Sequence, residues 1–452
     1  MATQHHTVQG SQKHRTQDWL IRFALIYFLL QTIPFQWSFY AQLFALRWDT
    51  FVIDVLNLVL FTPHFFGPES TFLDWIVLAV IAAVAVILWQ RSERIKPVRL
   101  NHDDLYYYLR VLVRYRLAAA LFVFGFVKLF PSFAPEPSIS HLNTGYGYFG
   151  HWKHFILSLG VAPAYLSFLG LVEVASALLL LFRRTAFLAV IFILPFYGNV
   201  FLSDLAYEGT GYVYSLFLLS LTFVLFLYDA QRFAQLTIHL QPTRPSSFRF
   251  SWADSPIRLW RIGLKGAFAL LFVVVFGAKS YAIYKHGTLH YPETPGLEGA
   301  AGIYNVGLFV VNGDTIAYSP DHPTRWRDVV FEKWNTVSIR SNSTVTENRY
   351  NGIKLERVDS LRSYEYALAG DRQYYSYNGQ GDQGQLVLQN RNPNYPDDRL
   401  SLDIVRLNSK TIVLEGLNAN GDSLLARLDR LDKKYLIEEV KKVGRFTLGF
   451  KL

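Results

Sequence analysis

Glu173, near the middle of residues 162–182, and Lys128, late in a run that begins at residue 111, are ionisable residues set deep in long apolar runs. A hydrocarbon core of ~30 Å is crossed by roughly 20 apolar residues. Glu173 is therefore expected near the midplane, and Lys128 on the outer side of it by ~10 Å at a helical rise of ~1.5 Å per residue. A carboxylate at that depth is a hypothesis about function once a partner can be named. Lys128 is that partner if its long stem reaches inward or a water bridges the two. Tyr197 and Asn199 on residues 186–203, Tyr212, Tyr214 and Ser215 on the next run, and Asp204 at the outer mouth complete a polar set. Such a set suits an amphipathic small molecule such as a quinone: Lys128 and the phenols hydrogen-bond a carbonyl, and Glu173 carries a proton. Glu173 and Lys128 are the candidate catalytic residues, and Tyr197, Asn199, Tyr214, Ser215 and Asp204 the candidate ligand-binding residues. A structural reading stands beside this one. In it Lys128 snorkels to the outer headgroups, a protonated Glu173 bonds a neighbouring helix, Asn199 glues helices together, and Asp204 and the tyrosines mark the membrane boundary. Arg116, toward the inner end of its run, is expected at lipid phosphate.

Other chemistries are narrowed by composition. Cysteine is absent from all 452 residues, which removes disulfides, thiolate nucleophiles and Cys-ligated clusters or zinc. The histidines avoid the apolar runs, so haem is set aside and no metal site is assigned. His141, His151 and His154 share one loop with Glu136; an interfacial amphipathic loop (Tyr146, Tyr148, Phe149, Trp152) is the preferred reading over a metal site. His5-His6 reads as part of a solvated tail. The net charge of +9 is carried by short basic loops between apolar runs, a pattern of membrane orientation and not of nucleic-acid binding. No Walker loop, dinucleotide fingerprint, HExxH or nucleophile elbow occurs.

The elements that must position these residues follow from hydropathy and charge. Residues 1–17 read as a disordered cytoplasmic tail, and 19–35 as a retained signal anchor. Residues 18–110 hold the N-terminal membrane helices. Within them 38–66, interrupted by Arg47, Asp49, Asp54 and Asn57, reads as an amphipathic or re-entrant outer element and not a span. The basic sets Lys13, Arg15, Arg22 and Arg91 through Arg116 both belong in the cytoplasm, which requires an even number of crossings between them. Residues 111–232 form a four-helix bundle, and 233–285 a cytoplasmic loop and last span. About seven spans result, with the N-terminus inside and the C-terminus outside. After a linker at 286–299, residues 300–452 alternate in short runs broken by turns such as Asn312-Gly313-Asp314. That pattern predicts an all-β sandwich or small barrel. Thr324-Arg325-Trp326-Arg327 reads as an Arg–Trp pair stacked at a β-domain edge. The fold class is thus an all-α polytopic membrane domain followed by an all-β soluble domain.

Three segments carry a likeness. "RYRLAAALFVFGFVKLFP" is an Arg-led helix with Gly125 and Lys128. "LGLVEVASALLLLFRR" sets an acid before a small-residue patch and a basic stop, and "FLYDAQRF" ends the last helix. With these, residues 110–232 resemble the DoxX family of four-helix membrane proteins, and the longer chain is similar to DoxX-type proteins of Bacteroidota with extra helices and a β-like tail. Where such proteins often carry a glycine-rich patch after the acid, this chain has Ala175-Ser176-Ala177. The resemblance implies a bacterial inner-membrane protein, in some members a subunit or partner of oxidoreductases acting on sulfur compounds or quinones. The leading expectation is therefore a membrane component of a quinone-linked oxidoreductase complex, whose periplasmic β domain binds partner proteins and which has no covalently bound cofactor. A stand-alone membrane enzyme on a lipid-soluble substrate and a non-catalytic envelope or assembly protein are the alternatives.

Overall fold

The computed structural model describes residues 18–67, 69–95, 102–243, 257–343, 345–346, 355–378 and 383–444. The expected tail 1–17 and basic positions 96, 99, 244 and 249 lie outside them. Two compact units emerge: Met1–Phe130 with Phe168–Tyr281, and Pro131–Ser167 with Ala282–Leu452.

The first unit is helical. α1 (Asp18–Thr32) is followed, at a bend of 49°, by α2 (Trp37–Phe44). Then come α3 (Phe51–Leu60), α4 (Phe72–Ile95), α5 (His102–Leu129), α8 (Pro163–Leu181), α9 (Ala186–Ala206) and α10 (Tyr212–Thr237), while α6 (Ile139–Leu142) and α7 (His151–Val161) lie in the segment between α5 and α8. A final run joins α11 (Ile257–Ala269), a π-helical turn (Leu270–Val275) and α12 (Phe276–His286). On α4 the stripe Leu78, Ala82, Val86 is buried, at the spacing of one helical face, while Leu73, Ile76, Val80, Val84 and Ile87 are exposed. Apolar side chains turned outward along helices of this length suit lipid, where only the backbone's internal hydrogen bonds are available. Among the described residues five helical runs (α4, α8, α9, α10 and α11–α12) are long and apolar enough to cross a membrane, and a sixth results if α1 and α2 act as one broken span. This is a membrane protein.

About seven spans were expected, and the difference lies in α1 and α5. α5 has 28 residues and starts at His102, so the expected boundary at 110/111 falls inside it. Arg110, Arg114 and Arg116 are carried mid-helix, which keeps it out of the apolar set. α3, at 10 residues, is too short to cross, and its buried face includes Asp54, which accepts from the Arg47 amide and the Thr50 hydroxyl at 3.0 Å each.

The second unit is an antiparallel β-barrel with the segment Pro131–Ser167 packed on it. Its strands are β1 (Gly302–Val311), β2 (Asp314–Thr315), β3 (Asp328–Phe331), β4 (Thr336–Arg340), β5 (Gln373–Asn378), β6 (Gln383–Asn390), β7 (Arg399–Arg406), β8 (Thr411–Leu417) and β9 (Ser423–Arg430). Among the described residues eight strands close in the order β1-β3-β4-β5-β6-β7-β8-β9, with β9 pairing back to β1 and the short β2 as a hairpin arm. Asn312 and Gly313 both have positive φ (52° and 87°), the type I′ geometry that the Asn-Gly pair predicts for a two-residue hairpin. The interior alternates as expected: Leu400, Leu402 and Ile404 on β7, Ile412 and Leu414 on β8, Leu424, Ala426 and Leu428 on β9. Tyr304, Phe309, Trp326 and Phe331 are among the bulky residues that fill it further, in keeping with eight strands enclosing little more than their own side chains. Arg325 and Trp326 are both buried. Trp326 packs on Phe309 at 5.5 Å, and Arg325 donates to the carbonyls of Ile316, Trp326 and Val306, so the pair is not stacked at an edge. α13 (Leu436–Val443) follows the barrel.

Candidate functional site

Glycines bring the ionisable residues of the helical unit together. Gly125 lies three positions before Lys128 on α5, and Gly170 three before Glu173 on α8. A Cβ on Gly170 would overlap the backbone of Leu129 and the carbonyl of Gly125; one on Gly125 would lie 2.8 Å from Val174 and 3.1 Å from the Cβ of Glu173. The two backbones thus touch, as small residues permit between membrane helices. One turn further along each helix, Lys128 Nζ reaches Glu173 Oε1 at 2.9 Å and Oε2 at 3.0 Å. Tyr197 of α9 donates its hydroxyl to Glu173 Oε1 at 3.0 Å. Glu173 and Tyr197 are buried, and Lys128 keeps only 12% of its side chain exposed. The rings of Phe124 and Phe196 lie 5.7 and 5.8 Å from the ammonium and add cation–π attraction. The pair offsets its own charge, which is the condition for ionised groups in a medium of low polarity. Lys128 therefore turns inward to Glu173 and does not snorkel to headgroups.

The remaining candidates divide. Ser215 donates to Asp204 Oδ2 at 2.6 Å, and both are buried where α9 meets α10. Tyr214 is buried and accepts from Arg116 Nη1 at 3.4 Å, while Arg116 Nη2 donates to the Val59 carbonyl at the end of α3 at 2.7 Å. Arg116 is thus engaged inside the bundle and not at lipid phosphate; the earlier start of α5 places it deeper than an inner end. Asn199 does not join the cluster. It is exposed, two positions after the buried Tyr197, and residues i and i+2 of a helix face different ways. On α8 the backbone approach to α5 is made at Gly170, five residues before the small-residue patch Ala175-Ser176-Ala177.

A second buried polar network lies in the barrel unit, where Pro131–Ser167 supplies α6 (Ile139–Leu142) and α7 (His151–Val161). Glu332, fully buried just past β3, accepts from the Ser140 amide at 2.7 Å, the Ser140 hydroxyl at 2.6 Å and the Ile139 amide at 3.2 Å. Glu365 accepts from Trp334 Nε1 at 2.7 Å and Thr336 Oγ1 at 3.0 Å and pairs with Arg391. Lys153 of α7, fully buried, donates to the Tyr364 carbonyl and lies 4.1 Å from the Tyr364 ring. Burial, only partly offset by Glu365, pulls the Lys153 ammonium down to about 7. Burial and the neighbouring Glu365 push Glu332 up to about 7. His290, donating to the Phe133 carbonyl, is pulled down to about 4 by burial. His141 is held well below its usual range by burial and by Lys153; its Nε2 meets the Glu365 carbonyl at 3.0 Å and its Nδ1 accepts the Ser138 amide. The loop expected to lie amphipathically at the interface is in this way fastened to the barrel through its polar residues, although Tyr146 and Tyr148 remain exposed. His154 packs instead on the Tyr146 ring at 4.0 Å, and among the described residues no group of three or more His, Asp or Glu is placed to hold a metal ion. The sequence does not mark out Lys153, Glu365 and Arg391, the last of which sits between Asn390 and Asn392; Glu332 carries a signal, a charge that closes the apolar run Val329-Val330-Phe331.

Fold and site together define a membrane protein with a buried Lys–Glu–Tyr cluster between its helices and a closed β-barrel in its second unit. Comparison with known families, with curated proteins and with solved structures gives no match.

Proposed function

We propose that the Lys128–Glu173–Tyr197 cluster is the proton-exchanging, ligand-recognising site of a membrane component of a quinone-linked oxidoreductase system. The observation that carries this reading is a carboxylate buried between helices with an ammonium at 2.9 Å and a phenol at 3.0 Å. A ligand carbonyl that takes the Lys128 or Tyr197 hydrogen bond would release Glu173 to exchange a proton, which is acid–base work within hydrogen-bond reach. The chain would contribute no redox centre of its own, in line with its lack of cysteine. In this proposal the protein is DoxX-like and lies in a bacterial inner membrane with the N-terminus cytoplasmic and the barrel unit periplasmic, where it meets partner proteins. The test is binding of a quinone analogue to the full chain in nanodiscs, with partner-dependent turnover as a second readout. Glu173→Gln and Lys128→Met should each weaken binding at least about tenfold, the equivalent of one lost charge-assisted hydrogen bond. Unchanged binding and turnover in both variants would overturn the proposal. A stand-alone enzyme on a lipid-soluble substrate is the second reading, favoured by the same short Lys128–Glu173 distance. It predicts turnover by the purified chain without a partner.

A further inference from the structure

Near the middle of α5, cations gather around a cavity that no carboxylate lines among the described residues. A cavity of about 450 Å³ lies between α5 and α11, and Arg114, Arg261 and Lys265 all line it. Its remaining walls are aromatic or aliphatic, including Tyr115, Trp260, Leu264 and Phe268, and among the described residues no carboxylate lines it. The two helices are held together next to it by the Phe268 ring, 5.1 Å from Tyr115 and 6.4 Å from Phe122. Three like charges around one apolar cavity repel one another unless an anion enters. Arg114 carries a buried Nε with no hydrogen-bond partner, an orphan donor that costs free energy until it is satisfied. Arg114 also lines a smaller neighbouring cavity of about 30 Å³ with Arg110 and Arg183; the acid there, Asp229, is engaged by Arg232 at 2.8 Å. Beyond the cations, the outer face of α11 is apolar and open: Trp260 is 74% and Leu264 67% exposed.

We infer that this cavity is a binding site for an acidic phospholipid. Its phosphate sits among Arg114, Arg261 and Lys265, and one acyl chain lies along Trp260 and Leu264. The chemistry is that of basic pockets between membrane helices, where phosphate meets guanidinium and ammonium groups while the chain stays in hydrocarbon. A soluble anion would leave the apolar wall uncovered, and a zwitterionic lipid would place a further cation beside three others. The site shares no residue with the Lys128–Glu173–Tyr197 cluster, so either assignment can fail alone.

Native mass spectrometry of the full chain, released from nanodiscs of equimolar phosphatidylglycerol and phosphatidylcholine, tests this. The wild type should retain phosphatidylglycerol over phosphatidylcholine by about fivefold or more, and Lys265→Gln or Arg261→Gln should each lower retention about fivefold, as expected for one basic group near a lipid phosphate. Arg114→Gln should lower it further. The α11 variants sit on a largely exposed helix, so the result does not depend on the Arg114 variant folding. Equal retention of the two lipids, or undiminished retention in an Arg261→Gln/Lys265→Gln double variant, would overturn the inference. Displacement of the lipid by millimolar inorganic phosphate would assign the site to a soluble anion. A dimer replacing the lipid-bound monomer would assign the face to a second copy. Either of these two results would also overturn it.

Discussion

Glu173 and Lys128 each need the other. Removing one partner of a buried ion pair leaves an uncompensated charge, at a cost of about 3–5 kcal/mol, whereas removing both leaves none. Lys128→Met and Glu173→Gln should therefore each destabilise the helical unit strongly, and the double variant by clearly less than their sum. A double-mutant cycle on denaturant unfolding in micelles reads this directly; additive losses would show that the pair is not energetically coupled. In the barrel unit the buried groups give pH dependence of opposite signs. Lys153 titrates near 7 when folded and near its usual 10.5 when unfolded. Between those values the unfolded chain binds more protons, so stability rises with pH from about 7 to about 10. Lys153→Met should flatten that rise in the unit's melting temperature. Glu332, at about 7 folded against 4.5 unfolded, contributes stability below 4.5 that is lost as pH climbs to 7. His290, near 4 when folded, acts the other way over the same acidic window. Glu332→Gln keeps an acceptor for Ser140 and should make the loss of stability on acidification from pH 6.5 to 4.5 steeper than in the wild type. An unchanged slope would mean that Glu332 is ionised throughout.

At the scale of elements, the contact of α5 with α8 depends on Gly170. Gly170→Ala places a methyl group against the Leu129 backbone, which cannot yield as a side chain can, and should cost about 1–3 kcal/mol. Gly198→Ala on α9 meets nothing within 4 Å and should be neutral or stabilising by up to about 1 kcal/mol. Comparable losses at both positions would refute the close approach. The elements were legible in the sequence where one periodicity dominated. β7, β8 and β9 alternate over seven or eight residues, β1 only up to its bulge between Val306 and Leu308, and the Asn312-Gly313 turn is local chemistry. β3, β4 and β5 were not marked out: two have four and five residues, and β5 (QYYSYN) is too polar to display a face. The start of α5 was hidden by Asp103, Asp104 and Arg110, which break the apolar run without breaking the helix. In the site, depth alone puts Asp204 and Ser215 in one polar set without pairing them, and Lys128 with Glu173 could be proposed. Arg116 with Tyr214 could not, because their meeting depends on where α5 begins.

At the scale of the whole molecule, the second unit is assembled from two stretches of chain, and the barrel residues alone are incomplete. A fragment spanning 282–452 leaves Glu332 without its donors from Ile139 and Ser140, and exposes groups that Lys153 and His141 otherwise cover. It should melt well below the full chain's barrel transition and be raised again by a peptide spanning 131–162; an unaffected melting temperature would show that the segment is only draped on the barrel. Deleting 300–452 would by the same reasoning strip Pro131–Ser167 of its packing, so loss of function on deletion would not by itself assign the function to the barrel.

Ser140 and Glu332 stand 192 residues apart. At a synthesis rate of ~5–20 residues per second, the earlier stretch emerges roughly 10–40 s before the strand that will receive it. Through that interval Lys153, bound for a fully enclosed position, remains hydrated and charged, and the ribosome completes the helices α8 to α12 while the earlier stretch waits. Completion of the second unit thus waits for synthesis of the barrel strands, long after its first stretch has been made.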